Sequence, residues 1–178
     1  MFINKIIDYL TPYTSKKHIL ISLILLVVIE ALFVFFIMPS VQISSGGYGL
    51  IDGLLFASEQ EYISLFNAYT SETRLLHYLS TSLDMILPFV YGFLIASVMI
   101  RCSNSTVLLK SGITITLLAV IFDYVENIGI LFSISHNHQT GSFLIRYLQI
   151  TTSAKSIFLG LGVVVLLWIV IKTLKKSG

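Results

Sequence analysis

Four long runs of apolar residues, separated by more polar segments, dominate the hydrophobic pattern of this chain. They cover residues 19–39, 83–100, 107–134 and 153–171, and the last run extends backwards as a helix to Ser142. A transmembrane helix needs roughly 20 apolar residues, which each run approaches or exceeds. The pattern predicts an all-α polytopic membrane protein in which residues 1–178 form a single domain of four transmembrane helices.

The long segment between the first two runs, residues 40–81, carries helical signals of its own. Ser58 followed by Glu61 fits a capping box. Apolar residues then recur at helical spacing: Tyr62, Leu65, Phe66 and Tyr69. We expect a short amphipathic helix here, lying at the outer membrane surface. Thr70 and Glu72 form a second start signal, which predicts a helix that runs straight into the second span.

Composition narrows the class of protein. The chain is 56% hydrophobic and only 11% charged, whereas soluble domains carry about 25% charged residues. Lipid is therefore the expected solvent and partner. A net charge of +2 gives no reason to expect nucleic acid binding. The single cysteine, Cys102, excludes an internal disulfide and a cysteine metal cluster.

Basic residues orient the predicted bundle, because cytoplasmic loops are enriched in lysine and arginine. One side would carry Lys5, Lys16, Lys17, Arg101, Lys110, Lys172, Lys175 and Lys176. The other side would carry Arg74 and Arg146, with Lys155 near the outer end of the fourth span. This asymmetry predicts a multi-pass protein of the cytoplasmic (inner) membrane with both termini in the cytoplasm.

Four carboxylates interrupt the apolar segments: Glu30, Asp84, Asp123 and Glu126. A charge at the bilayer centre costs a few kcal/mol at least, about 2.5–3.5 on insertion scales, so such residues usually face a protein interior or a wet cavity. With the predicted orientation, all four map to the middle or the outer half of the bilayer. This shared depth suggests one polar site.

The faces of the helices agree with that suggestion. At about 100° per residue, Asp123, Glu126 and Asn127 lie within one third of the helix circumference. His77, Asp84 and Tyr91 are spaced by sevens and share a face of their own helix. We predict a ligand pocket formed by Asp84, Tyr91, Asp123, Glu126, Asn127 and Glu30. We expect counter-charges or supporting residues from Arg74, His77, Lys155 and Arg146.

Structural interpretations of the same residues remain open. Asp84 lies near the end of a span and is compatible with a helix cap. Asp123 and Glu126 are compatible with a salt bridge to Lys155 or Arg146 that only fixes helix packing, because buried charges are normally paired.

Metal binding has a weak signal. His136 and His138 follow the third span and are compatible with an exposed loop. The chain has no H-E-x-x-H motif and no Glu-x-x-His pair on its helices. We therefore expect no metal and no other cofactor.

A pattern of polar and aromatic residues covers much of the chain: Ile51-Asp52, Glu61…Tyr69, Arg74-x-x-x-Tyr78-Leu79, Asp84-x-x-x-Pro88-x-x-Tyr91, Arg101 and Asp123-x-x-Glu126-Asn127. This pattern resembles a family of small bacterial four-span membrane proteins. The resemblance supports the architecture and implies no reaction.

A second likeness rests on Asp84 and the Leu87-Pro88-Phe89 that follows it. This stretch resembles the EXPERA membrane proteins, the sterol-isomerase and sigma-2-receptor type, which have four spans and a long first outer loop. The likeness implies a buried acidic pocket for a sterol-like or cationic amphiphile. This chain departs from that pattern because its second acid is Glu30, deep in the first span, and because Asp123 and Glu126 have no clear counterpart.

Three functions are compatible with these observations. The first is a membrane protein that binds or carries a lipid-like or amphiphilic small molecule, with the headgroup at the carboxylates. The second is an enzyme acting on a lipid or isoprenoid, in which Asp123, Glu126 or Asp84 serves as general acid/base or holds a metal. The third is a structural subunit that recruits a partner helix. Assembly into a homo-oligomer also stays open.

Overall fold

A computed structural model describes residues 2–135 and 141–177, and every regular element in that part of the chain is helical. The α-helices are α1 (Phe2–Leu10), α2 (Lys16–Leu32), α3 (Met38–Ser44), α4 (Glu59–Ala68), α5 (Ser71–Asp84), α6 (Leu87–Cys102), α7 (Thr106–Ser135) and α8 (Ser142–Ser177). Four helical segments are long and apolar enough to cross a membrane: Lys16–Ser44, Ser71–Cys102, Thr106–Ser135 and Ser142–Lys175. The predicted helical class and the number of such segments are confirmed for the described residues.

The first long segment is interrupted by a π-helical turn. Helix α2 continues through Phe33–Ile37, where the Met38 N–H donates to the Phe33 carbonyl five residues back. The predicted end at Pro39 is wrong, because the helix continues to Ser44. Pro39 lies just beyond the π turn, and it has no N–H to donate to a carbonyl of the preceding turn.

The second long segment is broken between α5 and α6. Thr70 caps α5 as predicted, since its hydroxyl accepts from the Thr73 N–H at 3.1 Å. The expected uninterrupted helix is wrong, because α5 ends at Asp84 and α6 begins at Leu87. Pro88 in the first turn of α6 has no N–H to continue the helical ladder, which accounts for the break. Asp84 is thereby placed at a helix end inside the bundle.

Helix α4 has the predicted capping box. The Ser58 hydroxyl accepts from the Glu61 N–H at 3.3 Å, and the Glu61 carboxylate accepts from the Ser58 N–H at 2.7 Å. These bonds from the Ser58 backbone and hydroxyl lower the pKa of the Glu61 carboxyl. The buried face of α4 packs on α7 and α8 through Tyr62, Leu65, Phe66, Ile130, Ile134, Ile145 and Leu148. Residues 45–70 thus cover one end of the bundle, called here the loop end.

Helices α7 and α8 make the most extensive contact of the bundle, and α6 packs against both. Two glycines of α7 allow this closeness. A Cβ at Gly129 would collide with the Tyr147 ring, and a Cβ at Gly112 would collide with the Met99 sulfur. At the opposite, terminal end, the Thr173 hydroxyl donates to the Cys102 carbonyl at 2.6 Å.

The amino-terminal segment, for which the sequence allowed an interfacial helix or a frayed end, is the helix α1. Ile6 and Leu10 of this helix line an apolar groove together with residues of α6 and α7, among them Phe93 and Leu117. The helix therefore packs along the outside of the bundle.

Candidate functional site

Asp84 and Asp123 come from different helices and share one amide group. The Asn127 Nδ2 donates to Asp84 Oδ2 at 2.9 Å and approaches Asp123 Oδ1 at 3.5 Å. The Tyr91 hydroxyl donates to Asp123 Oδ2 at 2.9 Å. All four side chains are buried. The two stripes predicted on α5–α6 and α7 therefore face each other at this point.

Lys155 of α8 supplies the positive charge of this cluster. Its ammonium forms an ion pair with Glu126 and lies 3.6 Å from Asp123 Oδ1. The Thr152 hydroxyl donates to Glu126 Oε1 at 2.5 Å. Glu126 is completely buried, and a buried charge is stable only when it is paired and hydrogen-bonded. The Lys155 salt bridge considered from the sequence is present.

Arg146 does not take part in this cluster. It is exposed, and it lies nine residues before Lys155 on the same helix, which places the two side chains about half a turn apart. The fold therefore does not bring Arg146 to these carboxylates, and its role as a counter-charge stays a prediction.

Tyr62 of α4 lies close to the side of this cluster that faces the loop end. Burial raises the pKa of the Tyr62 phenol, and the neighbouring Thr152 side chain opposes this effect. The Glu126 charge raises the pKa further. The helix at the loop end is thus in electrostatic contact with the buried ion pair.

A cavity of about 260 Å³ opens beside this cluster, and it is called here the acidic cavity. Its polar lining consists of four carboxylates and one ammonium group: Glu30, Asp52, Asp84, Asp123 and Lys155, with the Tyr91 phenol beside them. Its apolar lining consists of Phe33, Val34, Met38, Leu50, Leu87 and Leu159, with Gly53 at the loop end. In this lining, carboxyl groups outnumber cationic groups four to one.

Asp52 is the lining residue that the site prediction missed. It lies on a 3₁₀ turn, Ile51–Gly53, whose first residue is fully buried. The Tyr69 hydroxyl donates to the Gly49 carbonyl at 2.7 Å and holds the chain that leads into this turn. A search limited to the apolar runs excludes Asp52 because it is a loop residue. The only signal for it was the Ile51-Asp52 pair in the family-like pattern.

The remaining predicted site residues fall into two groups. Glu126 and Asn127 do not line the acidic cavity, because they are buried behind its wall and hold Lys155 and Asp84. His77 and Arg74 also lie away from the lining; the His77 ring packs edge-on against Tyr69, with ring centroids 5.5 Å apart.

Candidate metal ligands do not converge in the described part of the chain. Among residues 2–135 and 141–177, no group of three or more histidine, cysteine, aspartate and glutamate side chains is arranged to hold a metal ion. His136 and His138 lie outside the described residues.

In comparisons with known proteins, no protein-family model, curated protein or solved structure matches this chain. The class that the fold defines is an all-helical protein with four helices able to cross a membrane. An acidic cavity lies between these helices and the loop-end segment.

Proposed function

We propose that this protein is a multi-pass protein of the cytoplasmic membrane that binds an amphiphile with a cationic headgroup in the acidic cavity. The apolar surface of the bundle supports the membrane location, since α2 and α8 expose most of their large aliphatic side chains. The basic residues at the terminal end, among them Lys16, Arg101 and Lys172, support cytoplasmic termini under the positive-inside rule.

The charge balance of the acidic cavity carries this proposal. Four carboxylates face one ammonium group in a space with apolar walls. An anion or a neutral molecule would leave the excess negative charge uncompensated, whereas a cationic group would offset it. Charges in a low-dielectric site interact much more strongly than in water. The preferred ligand is therefore positively charged at the end that enters the cavity.

The size of the cavity favours a headgroup rather than a whole lipid. Pockets for drug-sized ligands measure roughly 300–1,000 Å³, and the acidic cavity measures about 260 Å³. Glu30, Val34 and Met38 of the first long helix line it and are themselves exposed. A hydrocarbon tail would therefore continue along this face into the bilayer while the headgroup stays inside.

Matched detergent-like probes test this proposal. The protein in phosphatidylcholine nanodiscs would be titrated with dodecylammonium, dodecyl sulfate and dodecanol, and bound probe would be counted by native mass spectrometry. We expect saturable binding of dodecylammonium only. Methylammonium should bind much more weakly, because burial of each CH₂ group contributes about 0.8 kcal/mol. Equal partitioning of the three dodecyl probes would overturn the proposal. Glu72→Gln, an exposed carboxylate outside the cavity, is the control variant.

A second candidate function is an enzyme acting on a lipid or isoprenoid. The observation that favours it is the hydrogen bond from the Tyr91 hydroxyl to Asp123, because both groups line the cavity and form an acid–base pair there. Incubation with bilayer lipids and isoprenoid alcohols, followed by lipid mass spectrometry, tests it. A product formed by the wild type and absent with Tyr91→Phe would support catalysis. Unchanged lipids would exclude these substrates.

A further inference from the structure

The carboxylates of the acidic cavity differ in how far the protein already satisfies them. Asp123 accepts from Tyr91 and lies next to the Lys155 ammonium. Asp84 accepts from the Asn127 amide. These two acids are held by neighbouring helices, and their charge and hydrogen-bonding capacity are partly used within the protein.

Asp52 is in a different situation. Its Oδ1 atom is buried, and no hydrogen-bond donor reaches it from residues 2–135 or 141–177. Leaving a buried acceptor unsatisfied destabilises a protein, and more so when the group is charged. Glu30 also makes no ion pair within the described residues, but it lies exposed on the first long helix and is not enclosed by the bundle. Asp52 is therefore the lining carboxylate with a buried oxygen that no donor of the described residues reaches.

The protein nevertheless holds Asp52 firmly in position. Ile51 before it is completely buried in the core under α4, and Leu50 is buried against the first long helix. The Tyr69 hydroxyl fixes the Gly49 carbonyl three residues earlier. Burial and the Asp52 charge both raise the pKa of the Tyr69 phenol, which therefore stays a hydrogen-bond donor at neutral pH. A rigid carboxylate with an unsatisfied oxygen is preorganised for a ligand.

We propose that Asp52 is the specificity-determining residue of the acidic cavity and that its unsatisfied oxygen accepts an N–H from the ligand. This inference rests on the proposed function and narrows its ligand class. A buried acceptor needs a donor, which a primary or secondary ammonium provides and a quaternary ammonium does not. The preferred ligand is therefore an alkylammonium with a free N–H.

The two cationic probes dodecylammonium and dodecyltrimethylammonium separate these headgroups with the same tail. Hydrogen bonds to charged groups contribute about 1.5–3 kcal/mol, which corresponds to roughly a tenfold to hundredfold preference for dodecylammonium. In Asp52→Ala, which removes the acceptor, this preference should fall to less than about threefold. The control Glu72→Gln should keep it. Thermal stability of Asp52→Ala should match the wild type, because no hydrogen-bond donor of the described residues reaches the buried Asp52 Oδ1.

The outcomes distinguish the two proposals. If the wild type binds both cations and rejects dodecyl sulfate, but Asp52→Ala keeps the full preference, the role of Asp52 is wrong and the proposed function stands. If the wild type does not distinguish cations from dodecyl sulfate, the proposed function is wrong. The inference about Asp52 is then also wrong, because it depends on that function. If Asp52→Ala does not fold, modification of the wild type by a hydrophobic carbodiimide decides. The activated carboxyl either rearranges to an N-acylurea or couples to a nearby amine as an amide, with the urea as leaving group. Dodecylammonium at Asp52 should therefore lower the N-acylurea yield there, and a yield that dodecylammonium leaves unchanged overturns the inference.

A free N–H-bearing ammonium has two sources in a membrane, a phosphatidylethanolamine headgroup and a single-chain amine. Their shared chemistry is the alkylammonium group. Nanodiscs with and without phosphatidylethanolamine distinguish them. If phosphatidylethanolamine competes with dodecylammonium, the ligand is the lipid headgroup. If the affinity for dodecylammonium is the same in both kinds of nanodisc, the ligand is a single-chain amine. Both results agree with a ligand N–H at Asp52.

Discussion

Replacing Lys155 by methionine tests what the buried ion pair contributes to stability. Methionine keeps a long unbranched side chain and removes the charge. Glu126 is completely buried, so its carboxylate would lose its cationic partner without gaining water. Breaking a buried pair in this way costs about 3–5 kcal/mol. The loss of a hydrogen bond alone would be much smaller, since such bonds in membrane proteins average about 0.6 kcal/mol.

The measurement compares free energies of unfolding in mixed micelles for three variants. Lys155→Met should lose about 3–5 kcal/mol. Thr152→Val, which removes only the 2.5 Å hydrogen bond to Glu126, should lose about 0.6 kcal/mol. The double variant Lys155→Met/Glu126→Gln should recover most of the loss of the single variant, because no uncompensated charge remains.

Two results would refute this reasoning. If Lys155→Met is as stable as the wild type, Glu126 does not depend on Lys155 in the folded protein. If the double variant is less stable than Lys155→Met, the pair contributes net stability and the penalty of an isolated carboxylate is not the main term. Either result would also contradict the interpretation that Glu126, behind the cavity wall, holds the Lys155 ammonium in the lining.

Three further predictions concern packing, pH and orientation. Gly129→Ala should destabilise the protein by about 1–3 kcal/mol through overpacking, whereas Gly160→Ala, where a Cβ meets nothing within 4 Å, should not destabilise it; equal losses would contradict the close packing. The lowered pKa of Glu61 means that its contribution to α4 is present above its unfolded pKa and is lost as pH falls through the folded value. Amide exchange in α4 should therefore accelerate in acid, and Glu61→Gln, which removes the titrating carboxyl, should abolish this pH dependence; a dependence that survives would refute the cap. A reporter inserted after Asn104 should be cytoplasmic, and an external signal would reverse the topology.

The helices of this protein could be predicted from the sequence because their signals are local. A hydrophobic run long enough to span a membrane is one continuous stretch of the chain. The Ser58–Glu61 pair acts within a single turn. The π turn at Phe33–Ile37 left no such signal, since it changes the register of backbone hydrogen bonds and leaves the apolar pattern intact. The break before Leu87 was missed because a proline near a helix start and a proline that kinks a helix are identical in sequence.

The candidate site was partly predictable. Depth and helical face were enough to bring Asp84 and Asp123 together. Depth and helical face could not separate the residues that line the cavity from those behind its wall. Glu126 lies only three positions from Asp123 on the same helix, and the two residues therefore share nearly the same face. The position of Asp52 in the cavity depends on how the loop after the first long helix folds back onto the bundle. Helical periodicity cannot predict this, because the loop has no regular pattern.

The π turn has a consequence for how the length of this chain can change during evolution. A π turn is equivalent to one residue inserted into an α-helix. Deleting one residue between Phe33 and Ile37 would restore a regular helix, and Glu30 and Val41 would keep their faces. A deletion elsewhere in α2 would rotate everything beyond it by about 100°. Single-residue gaps between homologues are therefore expected to concentrate at this turn.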